Sequence, residues 1–293
     1  MTRRQLGTTL ALTSAASFGV MPVLTKIVYD DGAGIAGVLS VRFSLAALVL
    51  AFIAKLRREA LPRGRQLVTL FLLGAVGYVV ESLCYFAALT TISAGLTALL
   101  LYLYPAMVVV LTAVLTRVRP SATSSTCVGV ATAGTALTIG PVGGGQWTGV
   151  LLGLAAALSY SVYILASSRW VRGVGPFATS AVVMAGAAVV YDVGAVSVQS
   201  AVPSHATAWL ALAGIALVGT VVAVSTFFAA LELLGPADTA VISTVEPVVS
   251  VVVAAIVLGE HLSLVQVLGG ALVLGAVGFL ARAAQAAVPL DAP

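Results

Sequence analysis

Charge is what this sequence has least of. Fourteen Lys and Arg and ten Asp and Glu amount to 8% of 293 residues, while 60% are hydrophobic; an ordinary soluble domain carries about 25% charged residues. So few charges cannot cover a water-exposed surface, and long charge-free apolar stretches fill almost the whole chain, the pattern of a protein solvated by lipid. Cysteine is nearly missing as well. Cys84 and Cys127 both lie in apolar runs, without CxxC or Cys/His spacing, which argues against a disulfide framework or a zinc site. The two histidines, His205 and His261, stand far apart near predicted helix ends and read as interfacial polar residues, so neither a metal nor a cofactor is expected. A basic patch is also lacking, because the net charge of +4 is scattered over short loops; nucleic acid is excluded as a partner on that ground.

What fills the chain is hydropathy. Windows of about 19 residues give ten runs, near 6–29, 34–54, 67–90, 93–116, 124–139, 149–170, 177–198, 207–233, 236–258 and 264–281. The expected fold class is an all-α membrane protein of ten transmembrane helices. Arg3-Arg4 ahead of an apolar run with small residues could open a cleaved secretory signal, but the first run has a partner in the second half, and its removal would leave the first half incomplete.

Basic residues stay on the cytoplasmic side. Arg3 and Arg4, then Lys55, Arg57, Arg58, Arg63 and Arg65, then Arg117 and Arg119, Arg169 and Arg172, and finally Arg282 all fall on one side of the predicted spans. Asp30, Asp31, Asp192, His205, Glu260 and His261 fall on the other, with Lys26 as the basic exception. Both termini are therefore expected in the cytoplasm. Trp147, Trp170 and Trp209 lie at span ends, where interfacial aromatics belong.

Shifting the chain by 142 residues aligns Phe86-Ala87-Ala88-Leu89 with Phe228-Ala229-Ala230-Leu231, Thr97-Ala98 with Thr239-Ala240, and Pro105 with Pro247. It also brings Val76-Gly77 onto Val218-Gly219, and Leu10, Leu12, Ala15, Ser17 and Val20 onto Leu152, Leu154, Ala157, Ser159 and Val162. One constant shift without gaps points to duplication. Residues 1–140 form one five-helix repeat, 141–148 a Gly-rich link outside the cell, 149–284 the second repeat and 285–293 a cytoplasmic tail. Five is odd, so the second repeat is expected to be inverted, an arrangement that recurs in secondary transporters because the two halves can exchange roles.

A charge in hydrocarbon costs roughly 2.5–3.5 kcal/mol on insertion scales, so it is usually paired or faces a wet cavity. Arg42, Glu81 and Glu246 are such charges. Arg42 and Glu81 have similar expected depths and could pair, either as a purely structural ion pair or as one handling substrate or protons. Gly74, Tyr78, Glu81 and Tyr85 share one helical stripe, as do Thr239, Ser243, Glu246 and Ser250 at the same spacing. Such polar stripes face the bundle interior and here favour a cavity lining. Ser17 beside Thr13, and Ser159 beside Tyr163, are softer signals that helix packing explains as well. Tyr102 and Tyr104 lie two residues apart and are expected to send one ring to the centre. Pro105 and Pro247 interrupt equivalent helices and are expected to kink them, which marks a transporter's binding region and moving parts. The runs around Cys127 and Gly270 are rich in small residues and read as packing helices, with a dimer contact as one option beside a monomer.

Arg42-Phe43 opening the second run, the segments ending in Pro105 and Pro247, Val245-Glu246-Pro247, Leu258-Gly259-Glu260 and Gly269-Gly270 together resemble the EamA family of the drug/metabolite transporter superfamily over nearly the whole chain. Arg117 stands where the second half has Gly259, a departure the charge rule accounts for. The resemblance implies ten helices in two repeats and movement of small metabolites, often export of amino acids or related compounds, across the bacterial cytoplasmic membrane. Small multidrug members of that superfamily carry a Glu in their first helix, whereas this chain has Thr13, Ser14 and Ser17 there. The expectation is a secondary transporter rather than an enzyme. It works by alternating access around a cavity lined by the first, third, fourth, sixth and ninth spans, with lipid and a small solute as partners, Glu81 and Glu246 as candidates for proton coupling, and Arg42 for holding an anionic group or setting the Glu81 charge. A passive facilitator, a membrane enzyme or flippase acting on lipid-linked groups, and an inert scaffold are the competing readings.

Overall fold

The computed structural model describes residues 2–117, 122–139, 146–167, 170, 174–234, 239, 242–243 and 245–286. Among these, all regular structure is helical. The helices are α1 (Arg3–Asp30), α2 (Ile35–Leu56), α3 (Gly64–Ala88), α4 (Ala94–Thr116), α5 (Ala122–Ile139), α6 (Trp147–Ser167), α7 (Pro176–Ser197), α8 in the pieces Ala206–Ala216, Leu217–Val222 and Ala223–Leu234, α9 (Val245–Leu258) and α10 (Leu264–Ala286). Among the described residues seven helices, α1 to α4 and α6 to α8, are long and apolar enough to cross a bilayer. The sequence predicts ten runs; the other three contain apolar helices that are shorter over the described residues, Ser125–Leu137, Val245–Leu258 and Leu264–Phe279. The Gly-rich link 141–145, Arg119, Arg169 and Arg172 lie outside the described residues.

Large apolar side chains cover the outside: Leu48, Leu115 and Val196 are 70%, 73% and 79% exposed. A water-soluble monomer rarely tolerates such contiguous apolar surface, whereas lipid carries no such penalty. The chain is a multi-pass helical membrane protein.

Helices α2 and α7 pack antiparallel along their length. At one end the Gly34 amide donates to Ala201 O (2.9 Å) and the Gly37 amide to Ser200 Oγ (2.9 Å). At the other, Glu59 Oε2 accepts from the Ala178 amide (2.8 Å) and the Arg57 guanidinium lies 4.8 Å from the Phe177 ring centre. The loop that follows each helix thus satisfies the unpaired amides that begin the other.

The same reciprocity holds elsewhere. Gly7 of α1 packs against Leu233 and Leu234 of α8, and Gly149 of α6 against Thr91 and Ile92 after α3. Gly219 of α8 packs on Met21, and Gly77 of α3 on Tyr163. Each contact becomes its counterpart when 142 is added to its first-half member and subtracted from its second-half member.

Local chemistry fixes the ends. Ser93 caps α4, its hydroxyl accepting from the Leu96 amide at 3.2 Å. Gly259, at φ +65°, adopts a left-handed turn that suits glycine. Just beyond it, Glu260 accepts from the Ala94 amide (2.9 Å) and the Gly95 amide (3.3 Å). A carboxylate from the second half therefore caps a helix of the first, where the helix dipole favours negative charge. Lys26, the expected basic exception, donates to Ile92 O in the same turn (2.8 Å). Nearby, Asp31 accepts from the Ser204 and His205 amides and contacts the His205 ring. The His205 side chain, and then these amides, hold the Asp31 carboxyl below the ordinary carboxylate range. Asp192 departs from expectation. The charge pattern groups it with the outer loops, but α7 continues to Ser197, which puts Asp192 inside the helix, exposed, accepting from Ser40 and Ser44 of α2.

Candidate functional site

Two helices change winding in the middle. Residues Leu73–Tyr78 of α3 and Leu217–Val222 of α8 are π-helical, a form that widens the turn by one residue and is frequent at functional sites. In α8, Thr220 Oγ1 donates to Ile215 O, five residues back, at 3.0 Å. In α3 the wide turn sits where Gly74 meets the Val183 backbone; a Cβ there would come within 1.9 Å of the Val183 carbonyl oxygen.

Arg42 lies between these two turns and is 2% exposed. Its Nε donates to Thr220 Oγ1 at 3.0 Å, and its guanidinium carbon lies 4.8 Å from the Phe43 ring centre and 5.1 Å from that of Phe86. Tyr78, at the end of the α3 turn, and Glu81, one turn on and 8% exposed, both interact electrostatically with it. The expected Arg42–Glu81 pair is thus a near neighbourhood without a direct ion pair: among the described residues the contact within 4 Å between a basic and an acidic side chain is His205–Asp31. The physical reason is that the guanidinium is already held by Thr220 and the two rings.

From this point a chain of rings crosses the bundle. Tyr191 of α7 stacks on Phe43 (5.5 Å between ring centres), Phe43 meets Tyr78 edge-on (5.6 Å), and Tyr78 meets Tyr163 of α6 (5.5 Å). Tyr163 stacks on Tyr160 (6.2 Å), Tyr160 meets Tyr104 (4.9 Å), and Tyr104 meets Tyr102 (6.0 Å). The chain ends on Glu246: the Tyr102 hydroxyl lies 2.9 Å from Glu246 Oε2 and 2.6 Å from Ser243 O. Glu246 is within electrostatic reach of Glu81, and Tyr85, buried on α3, is within reach of both.

Most of the expected residues gather here: Arg42, Tyr78, Glu81, Tyr85, Tyr102, Tyr163, Ser243 through its carbonyl, and Glu246. Two stand apart. Ser17 is buried on α1, and Ser159 donates to Ala156 O of its own helix (3.0 Å). Ser250, from the α9 stripe, donates to Gly19 O of α1 at 2.9 Å and so serves packing.

Their spacing predicts that one of Tyr102 and Tyr104 faces the centre, yet both do. The helix breaks between Leu101 and Tyr104, which turns the second piece relative to the first. Pro105 stands in the first turn of that second piece, where a missing amide costs nothing. Pro105 therefore opens a helical segment rather than bending a continuous one; for Pro247, residue 244 just before its helix lies outside the described residues.

Phe86, Tyr160, Tyr191 and Thr220 are members that the sequence alone does not single out. Tyr160 and Tyr163 differ by three residues and so share a face, the one signal that could have added a ring. A cavity of about 510 Å³ lies elsewhere, between α5 and α10 beside Cys127. Among the described residues no group of three or more His, Cys, Asp or Glu could hold a metal.

The site draws residues from both sides of the internal repeat, and likeness to known proteins divides the chain at the same place. The EamA-like transporter family matches twice, at residues 5–140 and 147–282. No curated protein matches the sequence. One solved crystal structure superposes with a TM-score of 0.67 at 20% identity, covering 95% of this chain and 98% of that one, which shows a shared fold. Two family matches that together span nearly the whole chain place it in the EamA-like transporter family, as a membrane transporter of the drug/metabolite type.

Proposed function

We propose that this protein is a secondary transporter that moves small metabolites, amino acids or related compounds, out across a bacterial cytoplasmic membrane by alternating access. It has ten spans in two inverted repeats and both termini in the cytoplasm. The observation that carries this reading is a buried cluster at the seam of the two matched halves, with two carboxylates, a guanidinium and a run of tyrosines. Intramembrane charges are costly and mark substrate or proton pathways. The antiparallel packing of α2 on α7 supports the inversion, because these helices hold equivalent places in the two repeats. A carboxylate near tyrosine faces suits an ammonium group, and Glu81 and Glu246 are the proton-coupling candidates.

Purified protein in liposomes, loaded with labelled amino acids under an imposed pH gradient, tests it. Saturable flux driven by the gradient is expected, with Glu246→Gln losing the gradient dependence while solute exchange persists. Flux that ignores the gradient makes the protein a passive facilitator. No saturable flux of any small metabolite, with lipid modification lost on replacing Arg42, Glu81 or Glu246, would turn the reading to an enzyme.

A further inference from the structure

Among the described residues Arg42 is the one cation in the cluster, and the way it is held suggests what it does. Its Nε–H is engaged by Thr220 Oγ1 at 3.0 Å, its guanidinium lies over Phe43 and Phe86, and only 2% of the residue is exposed. A side chain meant to grasp an anionic solute would keep its fork open toward the solute path; this one is packed in place. Thr220 is fully buried, and its single hydroxyl both accepts from Arg42 and donates to Ile215 O at 3.0 Å. The second bond reaches five residues back and exists because α8 is π-helical at Leu217–Val222. The opposite π-helical turn, Leu73–Tyr78 of α3, brings Tyr78 to the same guanidinium. The two wide turns come from different repeats and meet at one cation.

We propose that Thr220 is a positioning residue of the transport site: anchored to the Ile215 carbonyl in the π-helical turn of α8, it fixes Arg42 as a built-in counter-charge beside Glu81 and Tyr78. Arg42 then acts as the counter-charge of Glu81 and leaves Glu246 to meet the solute, and a movement of α8 against α2 reaches Arg42 through one hydrogen bond. The inference rests on the transport reading for its flux consequence, while its geometric part stands alone.

The test compares Thr220→Val, which keeps the shape and loses the hydroxyl, with Thr220→Ser, which keeps the hydroxyl, both in the full chain. In protein labelled with nitrogen-15 at arginine, the Arg42 Nε–H resonance, assigned by its loss in Arg42→Lys, is expected to resist solvent exchange in the wild type and T220S. In T220V it should exchange at least tenfold faster. In liposomes, T220V is expected to lower the initial flux about tenfold, the scale of one hydrogen bond to a charged group, with T220S restoring it. Should T220V not fold, Thr220→Ala takes its place, and the wild type and T220S still report whether Arg42 Nε–H is protected. Unchanged exchange in T220V, or an unprotected Nε–H in the wild type, overturns the inference whether or not flux is seen. A wild type with protected Nε–H but no flux of any solute overturns the transport reading and leaves the Thr220–Arg42 contact standing.

Discussion

At the scale of single residues, the closest approach at a described glycine is at Gly74. A Cβ there would approach the Val183 carbonyl oxygen to 1.9 Å, and the obstacle is backbone, which cannot swing aside. Gly74→Ala should therefore cost at least the upper end of the about 1–3 kcal/mol typical of overpacking. At Gly129 an added Cβ would meet nothing within 4 Å, so Gly129→Ala should be neutral or stabilise by up to about 1 kcal/mol. Thermal unfolding in detergent checks both, and equal melting temperatures for the two variants would contradict the packing of α3 on α7. Arg42, Glu81 and Glu246 are legible in the sequence because a charge in an apolar run has to be explained. Thr220 is not. A threonine in a membrane helix is ordinary packing material, and only the π-helical turn, which no residue pattern announces, aims it at Arg42. Tyr191 escapes for a related reason, since choosing it requires the rotation of α7 about its own axis.

At the scale of elements, helix ends are tied across the repeat boundary. Glu260 caps α4 from the loop after α9, so Glu260→Ala should cost about 0.5–2 kcal/mol, the range for a lost N-cap, and Glu260→Gln less. Thermal unfolding reads this, and an unchanged melting temperature in E260A would remove the cap from the account. Asp31 supplies a pH signature. Its carboxyl is held below its ordinary 3.8 by the His205 side chain and the amides of His205 and Ser204, so its contribution is full above that value and is lost as pH falls through the lower folded-state value. The stability margin of the wild type over Asp31→Asn is expected to shrink below about pH 4. A margin that grows on acidification would mean that the loop contact works otherwise. The sequence shows the Leu258-Gly259-Glu260 motif but not its target, because the partners Ala94 and Gly95 are more than 160 residues away and offer only backbone. Pro105 is legible as an interruption. That it opens a new segment beside Tyr104 depends on the helix having already broken at Tyr102 and Leu103.

At the scale of the whole molecule, the repeat is where sequence and structure speak most directly to each other. The shift of 142 residues comes from identities such as Phe86-Ala87-Ala88-Leu89 against Phe228-Ala229-Ala230-Leu231. The same shift relates contacts in space, Gly7 on Leu234 to Gly149 on Ile92 and Gly77 on Tyr163 to Gly219 on Met21. Identity shows that the halves are related; only the antiparallel run of α2 along α7 bears on which way each points. The transport reading needs two bundles lying head to tail across the lipid, so that a site at their seam can face either side in turn. With Cys84 and Cys127 replaced by serine, single cysteines in place of Ala60 and His261, both exposed and at opposite ends of the bundle, can be labelled in intact cells with a membrane-impermeant maleimide. The account predicts that the cysteine at 261 reacts from outside and the one at 60 only after the cells are opened; reaction of both from the same side would contradict it.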